Sequence, residues 1–247
     1  VVSELNGPLN IPQTVQIGGK TYPVEVLAVR MFEGEGESLI KNITAITLPE
    51  GLKRLEKNSL YSEVVSATEV TIPASVEYVG TYFLRGETLK KITFKGSPVL
   101  ADNSVGSNYK LIHFMSQTPP SVGKYSFQSA HLMVVAPDIA SIPVYRTTLS
   151  GHWGVEKGYE LSVYGGLKEA DNVYYSAMED GNACAIYFDG TQTSVALSKT
   201  IQIDGAARAL TKIQRGLFYY KKITEVIVPE TVKTIGGNAF SKSSALT

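Results

Sequence analysis

The feature that most limits how this chain can fold is a short pattern that it repeats. The stretch "EVTIPASVEYVG" at residues 69–80 returns as "EVIVPETVKTIG" at residues 225–236, with five of twelve positions identical. Each copy has two apolar residues separated by one residue and followed by a proline, and it then ends on an apolar residue followed by glycine. One such unit cannot bury its apolar face alone, so the repetition predicts units that stack and supply each other's core.

The spacing of the copies favours a solenoid over coincidence. A third copy with the proline covers residues 46–60, and three looser copies without it follow the copy at residue 70. From Ile46 onward, these successive units begin 24, 22, 20 and 20 residues apart. These distances fit the 20–29 residues of a leucine-rich repeat. The proline lacks the N–H that a strand ladder needs, so it predicts where the strand stops. The first apolar residues of the units are Ile46, Val70, Ile92, Ile112 and Leu132.

A longer duplication lies over the short one. Residues 14–32 align without gaps on residues 200–218, and each copy has a glycine-containing pair, Gly18-Gly19 or Asp204-Gly205, that predicts a tight hairpin. Asp189-Gly190 predicts a third hairpin by the same argument. The identical positions are Thr14, Gln16, Ile17, Gly19 and Phe32, which recur as Thr200, Gln202, Ile203, Gly205 and Phe218.

The duplication predicts two repeat arrays. The first covers residues 1–158 and closes with a capping segment, in which a short helix around Tyr145 covers the end of the stack. The second covers residues 159–247, starts with strand-like runs, and as given is truncated at its C-terminal end.

Composition excludes several classes of partner. Twenty-three basic residues balance twenty-three acidic ones, which predicts no nucleic-acid partner and no anionic membrane surface. No apolar run reaches the roughly eighteen residues of a membrane-spanning helix, so we predict no membrane insertion. The single cysteine, Cys184, excludes an intramolecular disulfide and is predicted to be a buried strand residue.

The repeats resemble a known family. Residues 43–60 and 223–240 share the pattern I-T-x-[IV]-x-[LV]-P-E-x-[LV]-K-x-[LI]-x-x-x-[SA]-[LF], which resembles the BspA-like leucine-rich repeats of bacterial surface proteins. Residues 70–84 and 118–153, and the paired opening units, resemble other parts of that family. The resemblance implies a β-rich α+β fold, a right-handed superhelix of short strands. It also implies export to the cell surface and a role in adhesion or ligand binding, without catalysis.

Motifs for catalysis or metal binding are missing from the sequence. His113, His131 and His152 lack the short spacing of metal ligands, and no nucleophile, phosphate or dinucleotide motif occurs. We therefore predict no catalytic residue, no metal and no cofactor. The acidic run "EGEGE" at residues 33–37 could hold calcium. It lacks the D-x-D-x-D-G pattern and is interpreted as a solvated loop.

The remaining candidate is a strand surface with two files of outward side chains. Threonine also suits any exposed strand, so the files need not be a dedicated site. The first file holds Thr47, Thr71, Thr93, His113 and Met133, and the second holds Ala45, Glu69, Lys91, Leu111 and His131. The predicted ligand-binding residues are Thr47, Glu69, Thr71, Lys91, Thr93 and His113.

The predicted function is that of a non-catalytic, extracellular binding or adhesion protein of the bacterial cell surface, with a protein or glycan ligand. Two alternatives remain open. One is a structural spacer that presents another domain. The other is a glycan-processing enzyme, which would need two carboxylates at a defined separation.

Overall fold

The computed structural model describes residues 5–30, 40–61, 65–85, 88–105, 111–127, 132–150 and 161–246. The chain forms two compact units: unit 1 comprises residues 1–134 and 144–162, and unit 2 comprises residues 135–143 and 163–247. The two repeat arrays, divided at residue 158, remain a prediction, because compactness alone does not identify repeats.

Short strands make up most of the regular structure in both units. The strands that lie wholly in unit 1 are β1 (Leu5–Asn10), β2 (Thr14–Ile17), β3 (Lys20–Pro23), β4 (Val26–Leu27), β5 (Ile40–Thr47), β6 (Arg54–Leu55), β7 (Leu60–Tyr61), β8 (Glu69–Ile72), β9 (Tyr78–Val79), β10 (Leu84–Arg85), β11 (Lys91–Phe94), β12 (Val99–Leu100), β13 (Leu111–Phe114) and β14 (Ser121–Val122). Three elements have residues in both units: β15 (Met133–Ala136), the helix α1 (Ile142–Leu149) and β16 (Ser162–Ala170). The strands that lie wholly in unit 2 are β17 (Val173–Ala177), β18 (Ala183–Phe188), β19 (Ser194–Ala196), β20 (Thr200–Ile203), β21 (Ala206–Ile213), β22 (Glu225–Ile227) and β23 (Thr234–Ile235).

The predicted repeat strands pair in parallel within unit 1. Strand β11 lies between β8 and β13, so that Ile92 is in register with Val70 on one side and Ile112 on the other. All three side chains are buried. The prediction that the apolar residues of adjacent repeats share one interior is therefore confirmed, and the strand-rich leucine-rich repeat fold with it.

A second parallel sheet accompanies the first in unit 1. It consists of the two-residue strands β4, β6, β9, β12 and β14, which join in that order. Their second residues are in register, and those of the first four strands, Leu27, Leu55, Val79 and Leu100, are buried. A repeat of unit 1 thus contributes two short strands, each with an inward-facing apolar side chain.

The predicted short helix is confirmed as α1, and its aromatic residue joins the core of unit 1. The rings of Phe94 and Phe114 stack with their centroids 5.2 Å apart, and the Tyr145 ring lies 5.3 Å from Phe114. The Tyr145 hydroxyl donates a hydrogen bond to the Ser116 carbonyl at 2.7 Å. Burial raises the pKa of this hydroxyl, so it stays protonated and keeps that donor.

Unit 2 begins with strands that differ from the repeats. The predicted strand-like runs form β16, β17 and β18, but these pair antiparallel. The turn between β16 and β17 has positive φ at Asp171 and Asn172, 53° and 61°, as a two-residue hairpin requires. These strands therefore form a meander. Two parallel repeat-like pairs, β19 with β22 and β21 with β23, follow in the same unit.

Two of the three predicted hairpins are confirmed. Strands β2 and β3 join at Gly18-Gly19, and strands β20 and β21 join at Asp204-Gly205. The prediction of a hairpin at Asp189-Gly190 is wrong. The next strand, β19, pairs in parallel with β22, whose residues lie about thirty positions further along the chain. An Asp-Gly pair is compatible with several types of loop. Here the pairing of β19 with β22, a strand distant in sequence, determines which type forms.

The core of unit 2 is built around three phenylalanine rings. Phe188 meets Phe218 edge to face with centroids 5.2 Å apart, and Phe218 stacks on Phe240 at 5.5 Å. Cys184 on β18 is buried, as predicted, and burial raises the pKa of its thiol to about 12. The thiol therefore stays protonated at neutral pH and contributes packing rather than reactivity.

The glycine of the repeat pattern allows neighbouring repeats to approach closely. The N–H of Gly236 donates to the Ile213 carbonyl at 2.8 Å, and a methyl group at Gly236 would lie 2.4 Å from the backbone nitrogen of Arg215. Gly80, at the same place in its copy, would likewise bring a methyl group to 2.6 Å from the Lys57 nitrogen. Since backbone atoms would have to move, alanine cannot replace either glycine without separating two repeats.

We expect Gly236→Ala to lower the free energy of unfolding by about 1–3 kcal/mol, because the new methyl group overlaps backbone. The adjacent Gly237 provides the control, since no heavy atom lies within 4 Å of a methyl group there. Gly237→Ala should leave stability unchanged or raise it by up to about 1 kcal/mol. Urea unfolding followed by circular dichroism would measure both. Equal losses would contradict the close approach.

Candidate functional site

The first file of predicted binding residues forms a ladder across three strands of unit 1. Thr93 on β11 is in register with Thr71 on β8 and with His113 on β13. The three alternate with buried residues along their strands and so point to the opposite face of the sheet. Thr71 is exposed, whereas Thr93 and His113 are half-buried. We call Thr71, Thr93 and His113 the strand ladder.

The second file supplies an ion pair beside the ladder. Lys91 is in register with Glu69, and its ammonium group lies 2.5 Å from a Glu69 carboxylate oxygen. The Lys91 side chain is largely covered, whereas that of Glu69 is exposed. An ion pair that faces solvent in this way contributes little to stability, typically less than about 1 kcal/mol. Its charges are thus held in place on the surface without the fold depending on them.

Two residues placed in the outward files are not exposed. Leu111 and Met133 are both buried, so the prediction that they continue the exposed surface is wrong. Alternation along a strand gives the direction of a side chain, but the neighbouring chain segments decide whether that side is covered. The exposed part of the surface therefore lies toward β8 and decreases toward β15.

The remaining predicted residues of the two files do not belong to the register of β8, β11 and β13. Thr47 and Ala45 are exposed, but they lie on β5, where they pair with Asn10 and Pro8 of β1. His131 lies outside the described residues. The structure thus brings together Glu69, Thr71, Lys91, Thr93 and His113.

His113 is the residue of the strand ladder whose charge depends most on its surroundings. Burial, with a smaller contribution from the nearby Lys91 ammonium group, lowers its pKa from 6.5 to about 4. Both effects disfavour the protonated ring. At neutral pH the imidazole is therefore uncharged, and the ladder presents two hydroxyl groups and a neutral ring.

This shift predicts an acid-dependent loss of stability. Between pH 6.5 and about 4, the unfolded chain binds a proton on His113 that the folded chain does not, so stability falls as pH falls. Allowing for the partial exposure of the ring, we expect a loss of about 1–2 kcal/mol across this range. Urea unfolding at stepped pH would measure the loss. His113→Gln should flatten the curve over the same range, and an unchanged slope would contradict the pKa shift.

The described residues provide no cluster of metal ligands. Among them, no three His, Cys, Asp or Glu side chains lie close enough together to hold a metal ion. The acidic run at residues 33–37 and the other two histidines, His131 and His152, lie outside the described part of the chain. No helix among the described residues has the length and apolarity to cross a membrane.

A second set of surface residues was not predicted. In unit 1, the turns after β4, β6, β9, β12 and β14 each have a non-glycine residue with φ near +50°. A Gly-x-Tyr sequence, at residues 80–82 and 123–125, is the signal that could have identified the two tyrosines among them. We call these residues the turn column: Arg30, Asn58, Tyr82, Asn103 and Tyr125.

Comparison with protein families identifies the repeats. The sequence model of the family described as "BspA type Leucine rich repeat region" matches this chain in six copies, over residues 38–134 and 196–247. The matched residues cover more than half of the chain and leave out the meander of unit 2. No curated protein matches the sequence.

The solved structures that match the chain include a pneumococcal vaccine antigen and two bacterial leucine-rich proteins. The pneumococcal vaccine antigen PcpA is 17% identical, with a TM-score of 0.35, and the alignment covers 98% of this chain and 60% of the antigen. A leucine-rich cell surface protein of Faecalibacterium prausnitzii is 16% identical, with a TM-score of 0.32 and 97% and 68% coverage. A leucine-rich repeat protein of Bacteroides ovatus is 16% identical, with a TM-score of 0.23 and 97% and 73% coverage. At these identities the likeness assigns no ligand.

Proposed function

Since the chain belongs to the BspA-type leucine-rich repeat family, we propose that it is a non-catalytic binding module of an exported cell-surface protein and that its strand ladder contacts an extracellular protein ligand. The observation that carries this proposal is the register of Thr71, Thr93 and His113 beside the Glu69–Lys91 ion pair. In the same proposal, the repeats form two arrays of a right-handed superhelix, and α1 belongs to the cap of the first.

The geometry of the strand ladder favours a partner that contacts several repeats at once. Parallel pairing places successive ladder residues about 4.8 Å apart, so the three span roughly 10 Å along the stack. Their backbones are held by the sheet, and little ordering entropy is lost when a partner binds. Repeat proteins commonly use such an extended, pre-organised surface for recognition.

The chemistry of the surface favours a protein over a glycan at this position. Thr71 and Thr93 provide hydroxyl groups that both donate and accept hydrogen bonds, and the ion pair provides one charge of each sign. A surface with charges of both signs selects a partner whose charges are arranged in the complementary pattern. Protein surfaces carry such patterns of positive and negative charge. Within the ladder and the adjoining ion pair, the described side chains include no phenyl or indole ring on which a sugar could stack.

A bulky charge on the ladder tests this proposal. We expect Thr71→Lys to weaken binding to the protein ligand at least about tenfold, because it adds a charge and a long side chain within the contact. Surface plasmon resonance against extracellular matrix proteins, each immobilised separately, would identify a ligand and then measure the change. Thr93→Lys should have a similar effect.

Thr21→Lys is the matched control, since Thr21 is also an exposed strand threonine of unit 1 but lies in the β2–β3 hairpin. This variant should bind as the wild type does. If Thr71→Lys, Thr93→Lys and Thr21→Lys all bind like the wild type, the ligand contacts another surface and the proposed site is wrong. A ligand that is found only among glycans would also contradict the proposal.

A further inference from the structure

The turn column has a regular geometry that is set by the backbone. The N–H of Asn58 donates to the Thr81 carbonyl at 3.1 Å, that of Tyr82 donates to the Asn103 carbonyl at 3.0 Å, and that of Asn103 to the Lys124 carbonyl at 3.1 Å. Each of these bonds joins one turn to the turn of the next repeat. The spacing along the column is therefore that of the stacked repeats.

Tyrosine is an unexpected residue in this column. At φ of 48° and 54°, Tyr82 and Tyr125 adopt the left-handed conformation, which glycine and asparagine tolerate and a bulky residue rarely does. Asn58 and Asn103 follow this rule at the same position in unit 1, and Gly216 and Asn238 follow it in the repeat-like part of unit 2, whereas Arg30, Tyr220 and Lys242 also have positive φ. The backbone therefore does not require tyrosine at either position.

The two rings are also left open to solvent. Tyr82 is 38% exposed and Tyr125 is 57% exposed, so neither ring is a core residue. A residue that strains its backbone and packs little is a candidate for function. Asn103 lies in the turn between them, which places the two tyrosines two repeats, or about 9.6 Å, apart along the column.

We propose that Tyr82 and Tyr125 form a second binding site, for a neutral polysaccharide chain that lies along the turn column. Two aromatic rings spaced by one intervening turn can stack on two sugars of the same chain while a sugar between them spans the gap. The residues just before the rings, Thr81 and Lys124, are polar, so the rings are not part of a continuous apolar patch of the kind that protein partners bury. The chain carries no net charge that would favour an acidic polysaccharide.

Replacement by asparagine tests the site without disturbing the turn. We expect the wild type to be retarded in native gels that contain at least one of soluble β-glucan, mannan, galactan or xylan. Tyr82→Asn and Tyr125→Asn should each weaken that binding about tenfold through loss of one stacked ring, and the double variant should abolish it. The double variant should unfold at the same or a higher temperature than the wild type, because asparagine suits positive φ better.

Tyr22→Asn is the matched control, since Tyr22 is similarly exposed but lies on the β2–β3 hairpin. It should bind polysaccharide as the wild type does. Protein binding through the strand ladder should be unchanged in all four variants, which separates this site from the proposed function above. The proposal is overturned if none of the four polysaccharides retards the wild type, or if the double variant is retarded equally. A lower unfolding temperature of the double variant would also overturn it, because the tyrosines would then have a structural role.

Discussion

Phe114→Ala should lower the free energy of unfolding by about 3–5 kcal/mol, among the largest effects of a single substitution in unit 1. The ring is fully buried and contacts an aromatic ring on each side, Phe94 at 5.2 Å and Tyr145 at 5.3 Å. Removing it leaves a cavity inside the stack, since the backbones of β11 and β13 are fixed by their pairing. Urea unfolding followed by circular dichroism would measure the loss.

The next residue of the chain provides the control. Met115 is 52% exposed and follows Phe114 at the end of β13. Met115→Ala should therefore change stability by no more than about 0.5 kcal/mol. If the two substitutions cost the same, the aromatic stack of Phe94, Phe114 and Tyr145 is not a principal source of stability in unit 1.

The repeat strands of unit 1 could be predicted from sequence because their pattern is local. Val70 and Ile92 each alternate with polar residues, and the spacing of Val70, Ile92 and Ile112 along the chain fixes which repeats are neighbours. A strand with one buried face has little freedom in its register, since a shift by one residue would expose its apolar side chains. The same pattern therefore determined both the strands and their partners.

The exposure of the outward residues could not be predicted in the same way. Thr71 and Leu111 occupy outward files of the same sheet, yet one is exposed and the other buried. Burial on that side depends on segments distant in sequence, which have no periodic relation to the strands. For the same reason, the Asp189-Gly190 pair predicted a hairpin, whereas the partner of β19 lies far along the chain.

The turn column was missed because tyrosine carries no signal for positive φ. Asn58 and Asn103 are typical of such turns, but Tyr82 and Tyr125 favour strands in isolation. Their backbone conformation follows from the hydrogen bonds between adjacent turns, such as that from Tyr82 to Asn103. Stacking of the repeats thus overrides the local preference of these residues.

The duplicated hairpin allows one substitution to be tested in two environments. Ile17 and Ile203 occupy the same position of the two aligned segments, each at the end of the first strand of its hairpin. Ile203 is 2% exposed in the core of unit 2, whereas Ile17 is 65% exposed. Ile203→Asp should lower the free energy of unfolding by at least about 4 kcal/mol, because it places a carboxylate among apolar side chains that offer it no partner.

Ile17→Asp should change stability by no more than about 0.5 kcal/mol, since its side chain is already in water. Hydrogen exchange read by mass spectrometry would assign each loss to its segment: amides of residues 200–213 should lose protection in Ile203→Asp, while those of residues 14–23 should be unaffected in Ile17→Asp. A large loss from Ile17→Asp would mean that its hairpin is covered in solution as its duplicate is. In that case the duplicated sequence would determine how each hairpin packs as well as its local structure. The structure instead indicates that the duplicated sequence determines only the hairpin, and that the surrounding strands decide which of the two copies is buried.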